Sequence, residues 1–271
     1  MPAKISIITP SFNQCSFIEQ TIRSVLEQNY PNTEHIVIDG GSTDGTVEVL
    51  KKYPHLVWVS EKDKGQADAL RKGFELVTGD IVGWVNSDDY YEQQVFGRVT
   101  EIFEDPETMW LVGNLSLVFD DGQIVPDRSP EITRQRLWQN PDIIRQQSTF
   151  FRKDFLLRAG GWNPEFHLIM DYDLWLRLAS LAEPKRLDAN LAYFRMHSEQ
   201  KTSLDNYLEQ GREIDRILKR EGAPLRMRVA VRTKKRWIWL KGHIKAFCMD
   251  RGLISGKYRN RPVRLKSREM K

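Results

Sequence analysis

The sequence predicts an α/β fold: a mixed, largely parallel sheet flanked by helices, with a basic helical C-terminal extension. Three observations lead there. Over the first 90 residues, short apolar runs alternate with helical patterns, as expected of parallel strands buried on both faces. Beyond Tyr91 the alternation loosens and turn signals enter. The charge is also divided. Residues 219–271 hold 18 Lys and Arg against 3 Asp and Glu, a surplus of 15, so with +4 overall residues 1–218 carry −11.

The elements follow in order. Residues 4–9 form a strand through Ile5, Ile7 and Ile8, and 17–28 a helix with Ile18, Ile22, Val25 and Leu26 on one face. Strand 34–39 leads to helix 46–53, strand 56–60 to helix 66–77, and strand 81–85 closes the first half. Residues 95–103 are helical. Strands 110–119 and 123–125 flank Asp120-Asp121-Gly122, a hairpin signal. A short strand at 148–152 precedes helix 154–159, which Gly160-Gly161 breaks. Residues 173–182 are helical and 189–195 a strand. From Asp205 the chain reads as helices, with a polar basic end beyond Arg251. The expected division is a body of 1–204, in halves 1–90 and 91–204, and a tail of 205–271.

Composition sets the class. With 40% hydrophobic and 29% charged residues, the chain reads as a soluble globular protein. No run nears the roughly 18 apolar residues of a membrane span, and the start enters a strand without a signal-peptide pattern. Cys15 and Cys248 are the only cysteines, so no disulfide framework is expected and the setting reads as reducing and cytoplasmic.

Chemistry gathers where strands end. Asn86-Ser87-Asp88-Asp89 follows the apolar run 81–85. Oxygen ligands grouped this way suit a hard cation such as Mg²⁺ or Mn²⁺. The carboxyl end of a parallel strand is also where open α/β sheets bind ligands. The same residue types favour caps and turns. The first βα turn, Thr9-Pro10-Ser11-Phe12-Asn13, has no glycine, which weighs against a dinucleotide-binding G-x-G-x-x-G and an NAD enzyme. Two readings stay open for it: a nucleoside pocket lined by small polar groups, or a proline-fixed turn. In the second turn, Gly40 and Gly41 admit close backbone approach. Asp39 ends a strand and needs a partner, such as a base N–H. Ser42 or Asp44 is expected to cap the next helix. In the third turn Lys64, before Gly65, is either solvated or close enough to neutralise phosphate. Asp171-Tyr172-Asp173 opens a helix with more carboxylate than capping needs, which leaves one for general-base work, and Arg177 is spaced to pair with Asp173. His197 ends a strand pattern, as a metal ligand or a structural histidine.

Taken together, these residues resemble the family 2 glycosyltransferases and their GT-A fold. "SIITPSFNQ" and "FIEQTIRSVLEQNYPNTEHIVIDGGSTDGT" look like that family's nucleotide-binding opening, and "SEKDKGQADALRKGF" with "TGDIVGWVNSDD" continues into its metal motif. "FFRKDFLLRAGGW" and "MDYDLWLRL" are similar to its acceptor and catalytic segment, and "YFRMHSEQKTS" to its closing loop. The resemblance spans about residues 4–203, in the right order. It implies a metal-dependent inverting transferase acting on a nucleotide sugar, UDP before GDP or dTDP, in surface polysaccharide synthesis. It implies donor contacts at Thr9, Pro10, Ser11, Asn13, Asp39, Gly40, Ser42, Lys64, Gly65, Asn86, Ser87 and Asp88. Metal contacts fall at Asp88, Asp89 and His197, for Mn²⁺ or Mg²⁺. Acceptor contacts fall at Gly161, Trp162 and Asp171, with Asp171 as the base. Two positions depart from the family pattern. Asn86 stands at the first acidic position of the Asp-x-Asp motif, and Met170 replaces the Glu before the base. A sugar-nucleotide nucleotidyltransferase is the other enzymatic reading, though the Gly-rich phosphate loop it needs after the first strand is absent. A degenerate glycan-binding or scaffold protein is the non-enzymatic one.

The tail interleaves Arg226, Arg228, Arg232, Lys234, Lys235, Arg236, Lys241 and Lys245 with Val229, Val231, Trp237, Trp239, Leu240 and Phe247. It reads either as an anionic-membrane surface helix, suited to a lipid-linked acceptor, or as a helix packed on the body. The first reading makes the protein peripheral on the inner face of the plasma membrane. No nucleic-acid motif is present.

Overall fold

The computed structural model describes residues 2–197 and 206–250, with side chains as far as Lys241. The chain forms two compact units that divide between His197 and Ser198. The expected boundary at 204/205, the 198–203 part of the closing segment and the basic end beyond Arg251 lie outside the described residues.

The first unit is a nine-stranded mixed sheet. Its first half alternates as the sequence predicts: β1 (Ile5–Ser11), α1 (Ile18–Leu26), β2 (Thr33–Asp39), α2 (Thr46–Leu50), β3 (Val57–Ser60), α3 (Gln66–Glu75) and β4 (Ile81–Trp84). Then come β5 (Tyr90–Tyr91), α4 (Val95–Ile102), β6 (Trp110–Phe119), β7 (Ile124–Asp127), α5 (Arg134–Gln139), a 3₁₀ turn (Gln146–Ser148), β8 (Thr149–Arg152), α6 (Lys153–Arg158), α7 (Met170–Leu181) and β9 (Lys185–Met196). The strand order is β3-β2-β1-β4-β8-β6-β9-β5, with β7 paired to β6. The β3-β2-β1-β4 set is parallel. The sheet reverses at β8, which runs antiparallel to both β4 and β6. All four parallel strands therefore deliver their following loops to one edge.

Side-chain alternation assigns the layers. The Ile5 and Ile7 side of β1 packs under α1 and α4 with Ile81, Val85, Val95, Phe96 and Val99, and α2 joins α1 over Val37. The opposite side carries α3. A Cβ on Gly73 of α3 would come within 2.5 Å of Ile8 Cγ2, so only glycine permits that approach. On the same side Trp175 of α7 stacks on Trp84, Trp110 and Phe151, with ring centroids 5.9–6.1 Å apart.

Several bounds differ from expectation. α2 stops at Leu50, because its last turn tightens to i→i+3 bonds (Lys52 N to Val49 O and Tyr53 N to Leu50 O, both 3.1 Å) before Pro54. α7 starts at Met170 rather than 173, and β9 at Lys185 rather than 189. Neither β5, two residues long, nor α5, which buries only Leu137, carries a readable period.

The second unit contains α8 (Tyr207–Arg220) and α9 (Leu225–Asp250). α8 ends in a Schellman motif: Gly222, at φ +73°, donates to Lys219 O at 3.2 Å, and Ala223 donates to Leu218 O at 2.9 Å. Ile214, Ile217 and Leu218 of α8 are buried, as are Val231 and Ile238 of α9. Arg228 grips Asp215 at 2.9 and 3.2 Å. No helix among the described residues is long and apolar enough to cross a membrane.

Candidate active site

The expected donor residues meet at the carboxyl edge of the parallel strands. Asp39, the last residue of β2, is fully buried. Its Oδ2 accepts from Gly41 N (3.2 Å), Ser42 N (2.9 Å) and Ser60 Oγ (2.6 Å), and its Oδ1 from Ser42 Oγ (2.5 Å). Oδ1 thus has capacity for one further donor. Ser42 is not the helix cap; its hydroxyl serves Asp39 and accepts from Asn13 N at 2.7 Å. Asp44, one residue before the Gly45 N-cap of α2, accepts from Thr46 N at 3.0 Å. Asn13, at φ +52°, accepts from Thr43 N at 2.9 Å, so the first two βα turns are tied together. Gly40 fits between Phe12 and Asp63, where a Cβ would stand 3.0 Å from Asp63 Oδ2. Phe12, in the polar first turn, is 60% exposed, a residue absent from the expected donor contacts. Lys64 is exposed, and its backbone N–H donates to Asp68 Oδ2 at 3.2 Å.

Thr9 holds its place through His35: Thr9 Oγ1 lies 2.8 Å from His35 Nε2, both buried. Burial, helped by nearby His55, pushes the His35 imidazole down to about 3. The unfolded chain binds a proton near 6.5 that the folded one refuses until about 3. This contribution to stability is therefore complete above pH 6.5 and is lost as pH falls toward 3, at up to about 1.4 kcal/mol per pH unit. In urea denaturation, His35→Gln should show a flatter dependence than wild type between pH 6.5 and the Glu range near 4.5. Parallel profiles would contradict it.

The turn after β4 separates its two carboxylates. Asp89 is fully buried: its Oδ2 accepts from Gln147 Nε2 (2.6 Å), its Oδ1 from Arg195 N (3.0 Å), and its carbonyl from Thr21 Oγ1 (2.6 Å). Burial pushes its carboxyl well up, and the neighbouring Asp88 charge adds to this. Asp89 therefore faces inward and ties the turn to β9, rather than acting as the expected metal ligand. Asp88 turns outward, with Oδ2 3.2 Å from His197 Nε2, and the His197 ring rests on Phe17 (centroids 4.6 Å apart). Among the described residues no three His, Cys, Asp or Glu side chains converge on a metal position. The Asp88–His197 pair still fits a cation such as Mg²⁺ that takes its remaining oxygens from phosphate and water. Ser87 is buried, and its carbonyl accepts from Thr21 Oγ1 at 2.9 Å. Asn86 Oδ1 accepts from Trp84 Nε1 (3.0 Å) and Gln66 Nε2 (2.7 Å). An indole N–H only donates, so it fixes Asn86 with its NH₂ as the group left to offer a ligand.

Asp171 lies in the first turn of α7. Trp110, which opens β6, donates Nε1–H to Ala182 O just past the end of α7 at 2.9 Å, while Trp175 stacks on Trp84 at the end of β4. α7 thus packs on the sheet with Trp175 beside Trp84, the last residue of β4. Asp171 Oδ1 accepts from Tyr172 N at 2.8 Å. Asp173 is buried and pairs with Arg177 at 2.7 and 2.9 Å, as its spacing predicts. Arg177 also donates to Gly161 O at 2.7 Å and to Ala159 O, which clamps the Gly160-Gly161 break against α7. Trp162, 3% exposed, is edge-on to Trp84 (5.3 Å) and Phe74 (6.0 Å) and forms a wall rather than an exposed platform. His167 Nδ1 lies 3.9 Å from where a Cβ on Gly65 would stand, so the loop before α7 approaches the start of α3.

The family model for glycosyl transferase family 2 matches residues 6–159. The putative teichuronic acid biosynthesis glycosyltransferase TuaG of Bacillus subtilis (strain 168) is 34% identical over 124 residues, 44% of this chain and 49% of TuaG. S. aureus TarS 1-349, solved with UDP-GlcNAc, aligns at TM-score 0.64 and 20% identity, over 79% of this chain and 66% of that one. Mannosyltransferase PcManGT from Pyrobaculum calidifontis, solved with GDP-Man and Mn²⁺, aligns at TM-score 0.62 and 16% identity, over 94% and 77%. The chain thus spans about half the length of TuaG and two thirds of the TarS chain. The structural likenesses bear out the GT-A-type fold.

Proposed function

Because this chain belongs to glycosyl transferase family 2, we propose that it moves a sugar from a nucleotide donor, preferably UDP-linked, to a hydroxyl of a glycan or lipid-linked acceptor. Transfer inverts the anomeric centre, uses Mn²⁺ or Mg²⁺, and serves surface polysaccharide synthesis at the cytoplasmic face of the membrane. One observation carries this reading: Asp39 and the Asp88–His197 pair stand at one edge of the sheet, brought there by β2, β4 and β9.

The proposed roles are as follows. Oδ1 of Asp39 accepts a base N–H, Thr9, Pro10, Ser11 and Asn13 line the nucleoside, and the exposed face of Phe12 stacks on the base. Gly40 and Ser42 leave room for and brace that pocket. Asn86 offers its NH₂ to the ribose, Ser87 sets the turn, and Lys64 with the Gly65 backbone approaches phosphate. Asp88 and His197 hold the cation, which when bound neutralises charge developing on the leaving diphosphate. Trp162 and Gly161 shape the acceptor side. Asp171 takes the proton of the attacking hydroxyl, which approaches the anomeric carbon opposite the leaving group, so a single displacement inverts it. UDP-GlcNAc in TarS and GDP-Man in PcManGT support a nucleotide sugar without choosing the base.

A thermal-shift panel of UDP, GDP, dTDP and CDP, each with and without Mn²⁺, tests this. One diphosphate should raise the melting temperature selectively and only with metal, because a ligand of the folded state alone must stabilise it. Absence of any shift at saturating concentrations would count against the donor site.

A further inference from the structure

α8 and α9 enclose a cleft of about 580 Å³ that takes no part in the chemistry above. Arg212 lines it from α8, and Arg232, Lys235 and Arg236 from α9, together with the rings of Tyr207 and Trp239. No Asp or Glu is among the lining residues. Lys235 is 4% exposed, with Nζ 3.2 Å from Gln210 Oε1 and 4.9 Å from the Tyr207 ring. Arg232 lies 3.6 Å from Asp215, which Arg228 already holds. Arg212 and Arg236 are exposed and have no partner among the described residues. The cleft is therefore strongly cationic and built on a buried ammonium group.

A second observation points to the source of the anion. α9 exposes Leu225 (68%), Val229 (53%), Trp237 (43%) and Leu240 (48%). At helical spacing Leu225, Val229, Arg232, Arg236 and Leu240 fall on one stripe. A free phosphate gains nothing from those apolar side chains. A membrane surface engages both, with cations on the headgroups and apolar groups at the acyl boundary.

We propose that the α8–α9 cleft binds the phosphate headgroup of an anionic lipid, gripped by Arg212 and Arg236 from the two helices. This deepens the membrane-facing part of the proposed function, and it rests on the cleft rather than on the transfer chemistry.

The test is co-sedimentation of the full-length protein with phosphatidylcholine vesicles, with and without phosphatidylglycerol. Arg212→Gln/Arg236→Gln is compared with the charge-matched Arg226→Gln/Lys234→Gln, whose sites are exposed on α9 outside the cleft. Wild type should pellet only with the anionic vesicles. Because the cleft pair grips the headgroup directly while the control cations lie outside the cleft, the cleft pair should weaken binding roughly tenfold or more and the control pair distinctly less. Equal losses in the two pairs would overturn the proposal in favour of diffuse charge. So would stabilisation by inorganic diphosphate, abolished in the cleft variant, without vesicle binding. The readout is pelleting, so its failure leaves donor turnover, and the catalytic reading, untouched.

Discussion

Asp171→Asn should stop sugar transfer while nucleotide binding stays at the wild-type level. The substitution keeps the shape of the side chain and an oxygen for the Tyr172 N–H, so the first turn of α7 is preserved. It removes the charge and the capacity to take a proton. A positioned general base contributes about 10²- to 10⁴-fold, and turnover should fall by that factor. The proposed nucleotide contacts come from the turns after β1, β2 and β4, and Trp175 still anchors α7 on the sheet. Binding and turnover must therefore separate. Turnover within about tenfold of wild type, measured by product formation, would remove Asp171 from the role of base.

Asp88→Ala should have the second-largest effect, and it should fall on binding as well as turnover. Asp88 is the outward carboxylate of the β4 turn, 3.2 Å from His197 Nε2. Losing it forfeits several kcal/mol of charge stabilisation at the diphosphate, a drop in turnover of about 10²-fold or more. The Mn²⁺-dependent part of nucleotide affinity should vanish in calorimetric titration, and the metal-independent part should remain. If Asp88 and His197 hold one cation as proposed, Asp88→Ala/His197→Ala should cost less than the two single losses combined. Unchanged metal dependence in Asp88→Ala would refute the assignment.

Legibility in the sequence followed the range of the interactions concerned. β1 to β4 and their helices carry strong local periods, and the structure has them within a few residues of expectation. The Asp173–Arg177 pair was readable because four-residue spacing brings side chains together on a helix. Asp39 was expected to need a partner such as a base N–H, and within the chain it has Ser42 and Ser60, which no local pattern announced. Asp88 and Asp89 were indistinguishable as neighbours. What separates them is Gln147, 58 residues further on, and the backbone of Arg195, 106 residues on. Gln66, which orients Asn86, is likewise set by packing and leaves no local pattern. The two-residue β5 exists only because β9 lies beside it. Phe12 did leave a signal, as a large apolar side chain inside a polar turn.

The most direct experiment is release of nucleoside diphosphate from a panel of nucleotide sugars, with Mn²⁺ and with chelator, in wild type and Asp171→Asn. One donor should be turned over by the wild-type protein with Mn²⁺, release should cease with chelator and return with added metal, and Asp171→Asn should bind that donor without consuming it. Release that persists undiminished in chelator, or in Asp171→Asn, would contradict metal-assisted transfer through Asp88 and Asp171.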